Sequence, residues 1–328
     1  MLIRFFKSNQ SATFIAIPIL VIALWIEGFM KQVPLEINSS MPVYKLAIYF
    51  YSAKTAIIYR IIALGLIILQ AIYLNNIINK HEVLYKKSHL PALLYCILMS
   101  LFIPFLNFTP LLLINILLIK LLDTVLSFYK STTNDLAFNC GFLMGVCALI
   151  YFPSIIIFFL ILFGLMILRP FYWRNWVASI IGIILPFYFI SIYYFWTDKL
   201  EKFWGLEIPG YFIHLIRIDF SFTRPVKILS IAIAFIVLLS LLKLQSNFFK
   251  NVIRTRNFQI VLLFFFVISG LSLFLCPKIQ LEDFSIIAMP SAIFISYYFL
   301  SSKKTILVEF LMLLLLLLLI YNQIVFKP

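Results

Sequence analysis

The sequence predicts an all-α fold: a polytopic transmembrane helix bundle of about ten or eleven spans, one domain over 1–328, with two short interfacial outer loops. Three observations predict it. The 328 residues are 64% hydrophobic and only 12% charged, whereas a water-soluble domain is nearer half apolar and a quarter charged. Runs of about 20 apolar residues, the length that crosses a bilayer, recur along the whole chain. Lysine and arginine gather in short clusters between those runs, the pattern that sets orientation in multispan proteins. No polar stretch is long enough to fold by itself, so a second domain is not expected.

The apolar runs fall at about 13–30, 55–77, 90–106, 109–128, 137–152, 153–169, 176–196, 226–244, 258–276, 284–301 and 305–325. The first is followed by no small-residue cleavage motif and is read as a retained span. The runs 90–106 and 109–128 are joined only by Asn107-Phe108, with Pro104 and Pro110 beside the join, and 137–152 and 153–169 break at Pro153. Each pair reads either as two tilted short helices or as a re-entrant hairpin. Gly141 and Gly145 form a small-xxx-small pair that lets two helices approach closely. Pro18, Pro186 and Pro290 stand inside spans, in surroundings that show no internal repeat. LMLLLLLLLI in the final run has no helical face and reads as lipid-facing rather than as a specific packing element.

The net charge of +14 does not indicate nucleic acid, because the basic residues sit between spans. With the N-terminus (Arg4, Lys7) in the cytoplasm, the clusters Lys80/Lys86/Lys87, Arg169/Arg174, Lys243/Lys250/Arg254/Arg256 and Lys303/Lys304 share that side. Glu36, Asp198, Glu201, Glu207, Asp219, Glu282 and Asp283 fall on the other. The outer loops 31–54 and 197–225 mix aromatic with charged residues, as interfacial segments do. RPFYWRNW, beginning at Arg169, reads as an interfacial anchor on the basic side.

Four cysteines lie in or at the ends of apolar runs without zinc-type spacing, and His81, His89 and His214 lie outside the runs. No metal or other cofactor is expected. No P-loop, GxGxxG, GxSxG or HExxH occurs, which excludes soluble-type nucleotide enzymes. The candidate residues are therefore charges in or beside spans, where burial is costly. Lys120 and Asp123, three apart, share a helix face and form either a polar site or a helix end from which Lys120 snorkels. Arg60, one turn inside the second span, suits a phosphate or a headgroup. Glu27 and Glu36 are carboxylates placed to act as a general base or to stay solvated. Glu282-Asp283 reads as an acidic cap on a helix N-terminus, two ligands being too few for a cation.

The order of Ser40-Met41-Pro42-Val43-Tyr44, His89-Leu90-Pro91-Ala92-Leu93, Phe138-Asn139-Cys140-Gly141-Phe142, Tyr151-Phe152-Pro153-Ser154 and Leu168-Arg169-Pro170-Phe171 resembles an uncharacterised family of bacterial polytopic inner-membrane proteins. More distantly the layout is similar to the GT-C type glycosyltransferases that use polyprenyl-phosphate-linked sugars. That resemblance implies a catalytic acid, Glu27 or Glu36, and a lipid-phosphate partner among Arg60, Arg217 and Arg224. The chain departs from the pattern in its short first outer loop, the lack of a DxD motif and the lack of a large outer domain. Three functions follow, in order: a glycosyltransferase-like protein acting on a lipid-linked sugar at the outer leaflet, a scaffold or assembly subunit bound to other membrane-complex subunits, and a transporter. All three have membrane lipids as partners.

Overall fold

The computed structural model describes residues 6–7, 11–30, 56–129, 131, 135–202, 223–276, 279–303 and 305–325. Among these there is no strand, and eleven helices of eight or more residues follow one another. They are α1 (Ser11–Met30), α2 (Ala56–Lys80), α3 (Leu90–Leu98), α4 (Pro110–Leu126), α5 (Asp135–Ile150), α6 (Phe158–Leu168), α7 (Trp173–Trp196), α8 (Arg224–Asn247), α9 (Ile253–Ser272), α10 (Ser285–Ser301) and α11 (Thr305–Val325). Six helical stretches, 57–80, 173–196, 224–250, 253–275, 281–301 and 305–325, are long and apolar enough to cross a membrane. The chain is thus a polytopic all-α membrane protein, as its apolar runs predict. The other runs form shorter or interrupted helices. Spans of this kind close their backbone hydrogen bonds internally, which hydrocarbon demands.

The helix ends sort into two groups. At one end the Phe6 carbonyl accepts from the His89 amide, the Thr255 hydroxyl donates to the Glu82 carbonyl, the Tyr85 hydroxyl donates to the Leu300 carbonyl, and Arg169 donates to the Ser131 carbonyl. Basic loops that the sequence assigns to one side therefore meet at one end, here called the basic end. At the far end Arg60 meets Phe29 and Asn107, and Tyr151 meets Asp283.

α10 runs through the middle and is buried on almost every side, Pro290 included. α3 is buried at every residue. α7 is the opposite case: it buries only Asn175, Ser179, Gly182 and Pro186, one stripe at helical spacing, laid against α5. There the small-xxx-small pair does what its spacing predicts. A Cβ on Gly145 would stand 2.7 Å from the Ile183 carbonyl oxygen, and one on Gly141 would collide with the Ser179 carbonyl. Gly182 meets the backbone of α5 in return. Backbones this close are the usual way helices associate where lipid removes the hydrophobic drive.

One expectation for α11 is overturned. Its leucine tract does have a packed face: Val308, Leu311, Met312, Leu315, Leu319, Asn322 and Gln323 are buried, at three- and four-residue spacing. A run of identical residues cannot reveal a face, so this one is set by the neighbours, α8 and α1.

Candidate functional site: a broken span beside an apolar groove

The third span, which the sequence leaves open between short helix and hairpin, is a helix broken inside the bundle. α3 stops at Leu98, the chain turns through Met99–Phe102, and a 3-10 turn, Ile103–Leu106, completes the passage to Asn107. Pro104 is the cause. It has no N–H, so the Ser100 carbonyl four residues earlier has no helical donor. The Phe105 amide closes on Phe102 instead of Leu101, which bares the Leu101 carbonyl as well. α11 supplies both missing donors. The Gln323 Nε2 amide donates to the Ser100 carbonyl at 2.8 Å, and the Asn322 Nδ2 amide donates to the Leu101 carbonyl at 2.9 Å. From α1, the Trp25 indole N–H donates to the Ser100 hydroxyl at 3.2 Å, and that hydroxyl donates to the Cys96 carbonyl. All four side chains are buried.

The other side of the same break walls an apolar groove of about 680 Å³, within the 300–1,000 Å³ of typical small-molecule sites. Leu98, Leu101, Phe102 and Phe105 form one wall, α8 from Lys227 to Leu241 the second, and Leu281, Phe284, Ile287 and Ala288 the third. The fifteen residues of helix from Lys227 to Leu241 give the groove a length of about 21 Å. Among the described residues Lys227 is the one charged residue of its lining. It is exposed near the start of α8, three residues after the exposed Arg224. Thr223, the N-cap of α8, makes no side-chain capping bond, and the first turn carries no acidic residue. Two cations therefore stand at the positive end of a helix dipole, which favours anions.

The residues singled out in the sequence do not gather in one place. Arg224 stands at the rim of the groove beside Lys227, which sequence reasoning missed. Arg60 is buried in a corner of the far end, its Nε 3.4 Å from Asn107 Oδ1 and its Nη1 3.5 Å from the Phe29 carbonyl. Glu27 is half-buried on α1, two residues before Phe29 and so on a different face of that helix. The corner and the groove are separated by the turn Ile103–Leu106, which ends at Asn107 and contributes Phe105 to the groove. Glu36 and Arg217 lie outside the described residues.

Of the two readings of Lys120 and Asp123, the pair is not formed and the exposed Lys120 fits the helix end. Asp123 is held from the C-terminal end of α2, by His81 Nε2 at 2.7 Å and Lys80 Nζ at 3.0 Å. The three-residue spacing allows the pair, but the parallel packing of α2 on α4 brings nearer partners. Around this ion cluster His81 meets the edge of Phe258, and Arg254 lies over Tyr129 and Phe258 and 3.9 Å from Glu82. His89 receives the Asn75 amide on Nδ1, and burial holds its imidazole below the ordinary range. In the RPFYWRNW segment Phe171, Tyr172 and Trp173 are exposed as an interfacial anchor requires. Arg169 departs from it: buried, it forks onto the Ser131 carbonyl and lies over Phe128.

Asp283 caps the turn Leu281–Phe284, as the acidic-cap reading expects, by accepting the Gln280 amide at 2.7 Å. It also accepts the Tyr151 hydroxyl, which contacts Cys276 Sγ at 2.9 Å. This second role joins residues 132 positions apart and has no local signal. No group of three or more histidine, cysteine or acidic side chains fit for a metal occurs among the described residues. No protein-family model, no curated protein and no solved structure matches the chain.

Proposed function

We propose that this multispan membrane protein takes a lipid-linked anion, a sugar carried on a single-chain lipid phosphate, into the groove between α3, α8 and α10, with the phosphate at Lys227 and Arg224. The reading is the glycosyltransferase-like one, at the outer leaflet of a bacterial inner membrane with the N-terminus in the cytoplasm. One observation carries it: an apolar groove whose only charge, among the described residues, is a lysine at the N-terminus of a 24-residue helix without a side-chain cap. Within a bilayer the apolar walls select shape rather than supply affinity, because lipid tails are as apolar as the walls. The head must supply the binding energy. An anion there would neutralise two cations that the helix dipole otherwise opposes, and would accept from the first-turn amides of Arg224 and Val226, Pro225 having none. The sugar would then lie at the membrane surface, on the side of the turn Ile103–Leu106 where Arg60 stands.

The test is binding of farnesyl phosphate and of farnesol to the purified protein in phosphatidylcholine nanodiscs. Each surface cation contributes about 1 kcal/mol toward an anionic head, so Lys227→Ala with Arg224→Ala should weaken farnesyl phosphate binding about 30-fold and leave farnesol unaffected. Equal affinity for the alcohol and the phosphate in the wild type would defeat the proposal.

A further inference from the structure

We propose that Asn322 and Gln323 are positioning residues for the groove: by holding the bared carbonyls of the broken third span, α11 fixes the groove's wall without touching it. The inference rests on reading the groove as a lipid site. It starts from a division of labour across one short stretch. The side chains of Leu98, Leu101, Phe102 and Phe105 face the groove, while the carbonyls of Ser100 and Leu101 are taken by α11. Whatever sets those two carbonyls also sets Leu101 and its neighbours.

Pro104 calls for an outside donor. In an α-helical arrangement of 98–106 the Ser100 carbonyl lacks a donor from its own helix, and hydrocarbon offers no water to replace it. The donors are two neighbouring amides, 1% and 3% exposed, near the end of an otherwise leucine-rich helix. Nothing in lipid-facing packing calls for amides there. Each reaches the adjacent carbonyl of the break at ordinary hydrogen-bond length, and the Trp25–Ser100 bond steadies the same point from α1. With both amides replaced, the break would sample other arrangements, and only a fraction would keep the wall that a lipid chain needs. Affinity falls by that fraction.

Amide hydrogen exchange between Met99 and Phe105 and farnesyl phosphate binding, both on the full chain in phosphatidylcholine nanodiscs, test this side by side. The variant N322L/Q323L is expected to speed exchange in that stretch about tenfold, to leave α5 and α7 at wild-type rates, and to weaken the probe about fivefold. N322Q, which keeps an amide, should retain both values. Exchange that stays unchanged in 99–105, or rises equally everywhere, overturns the latch. A local rise with unchanged probe affinity overturns its link to the groove. Wild-type protein that binds no farnesyl phosphate overturns the lipid reading and that link, while exchange alone still decides the latch.

Discussion

Asp123 shows how a single charge is made tolerable inside a helical bundle. Its carboxylate lies near the basic end, reached by a histidine that is itself buried and by a lysine whose side chain is 61% exposed. The two partners are unequal. An exposed lysine on a carboxylate contributes little, because water screens it and the long side chain loses freedom. The buried His81 loses its only described ring hydrogen bond if the acid is removed, and such an orphaned group is costly. Lys80→Ala is therefore expected to cost under about 1 kcal/mol, and Asp123→Ala about 2–4 kcal/mol, read as unfolding free energy in a mixed-micelle denaturation series. Comparable losses for the two would show that the histidine bond is not the main contribution. At this scale the sequence was partly legible. The costly residues in spans could be named from charge alone, and Arg60, Asp123 and Arg224 each occupy a structured position. Their partners could not be named. Lys80, His81 and Asn107 come from other segments, and spacing along one helix favours Lys120 for Asp123 only because it sees nothing else.

Among the elements, α5 with α7 and α3 with α11 are held in different ways. α7 is attached through a glycine seam, so bulk there should separate the helices. Gly145→Leu would drive a side chain into the Ile183 carbonyl and Pro186 and is expected to destabilise the pair by about 2–3 kcal/mol. Gly65, exposed on α2 with nothing within 4 Å of an added Cβ, should accept alanine with a gain of up to about 1 kcal/mol. Thermal unfolding of the two variants in one detergent checks both, and a harmless Gly145→Leu would mean that the seam is looser than described. The seam was legible because Gly-x-x-x-Gly states a close approach in five residues. The break in α3 was half legible: Pro104 and Pro110 announced an interruption, but not that Asn322 and Gln323, more than 220 positions away, would satisfy it. The leucine tract hid the face of α11 for lack of contrast.

Taken whole, the molecule has a chemically sided form. The contacts that bring 80–89, 131, 169 and 251–258 to one end agree with the side that the basic residues imply, and the far end carries the groove's rim, the Arg60 corner and the Asp283 cap. Single cysteines introduced at Lys87, Arg174 and Lys250 are expected to react with an impermeant maleimide from one side of sealed vesicles, and one at Asp198 from the other. The native cysteines, all buried, should stay silent. Labelling of Lys87 and Arg174 positions from opposite sides would refute the arrangement. This two-sided layout was the most legible property of the chain, because burial of charge in hydrocarbon is the largest energy at stake and composition alone reports it. The groove was not legible, since its walls are the same apolar residues that face lipid elsewhere.

Pro104 has a consequence for how such a protein is made. A ribosome delivers Ser100 to the bilayer long before α11 exists, and until that helix inserts, two peptide oxygens of the third span wait without their native donors. Insertion and completion are thus separate events. A nascent chain stopped before Asn322 would be threaded through the membrane yet unfinished at its centre, the kind of intermediate that quality-control proteases recognise.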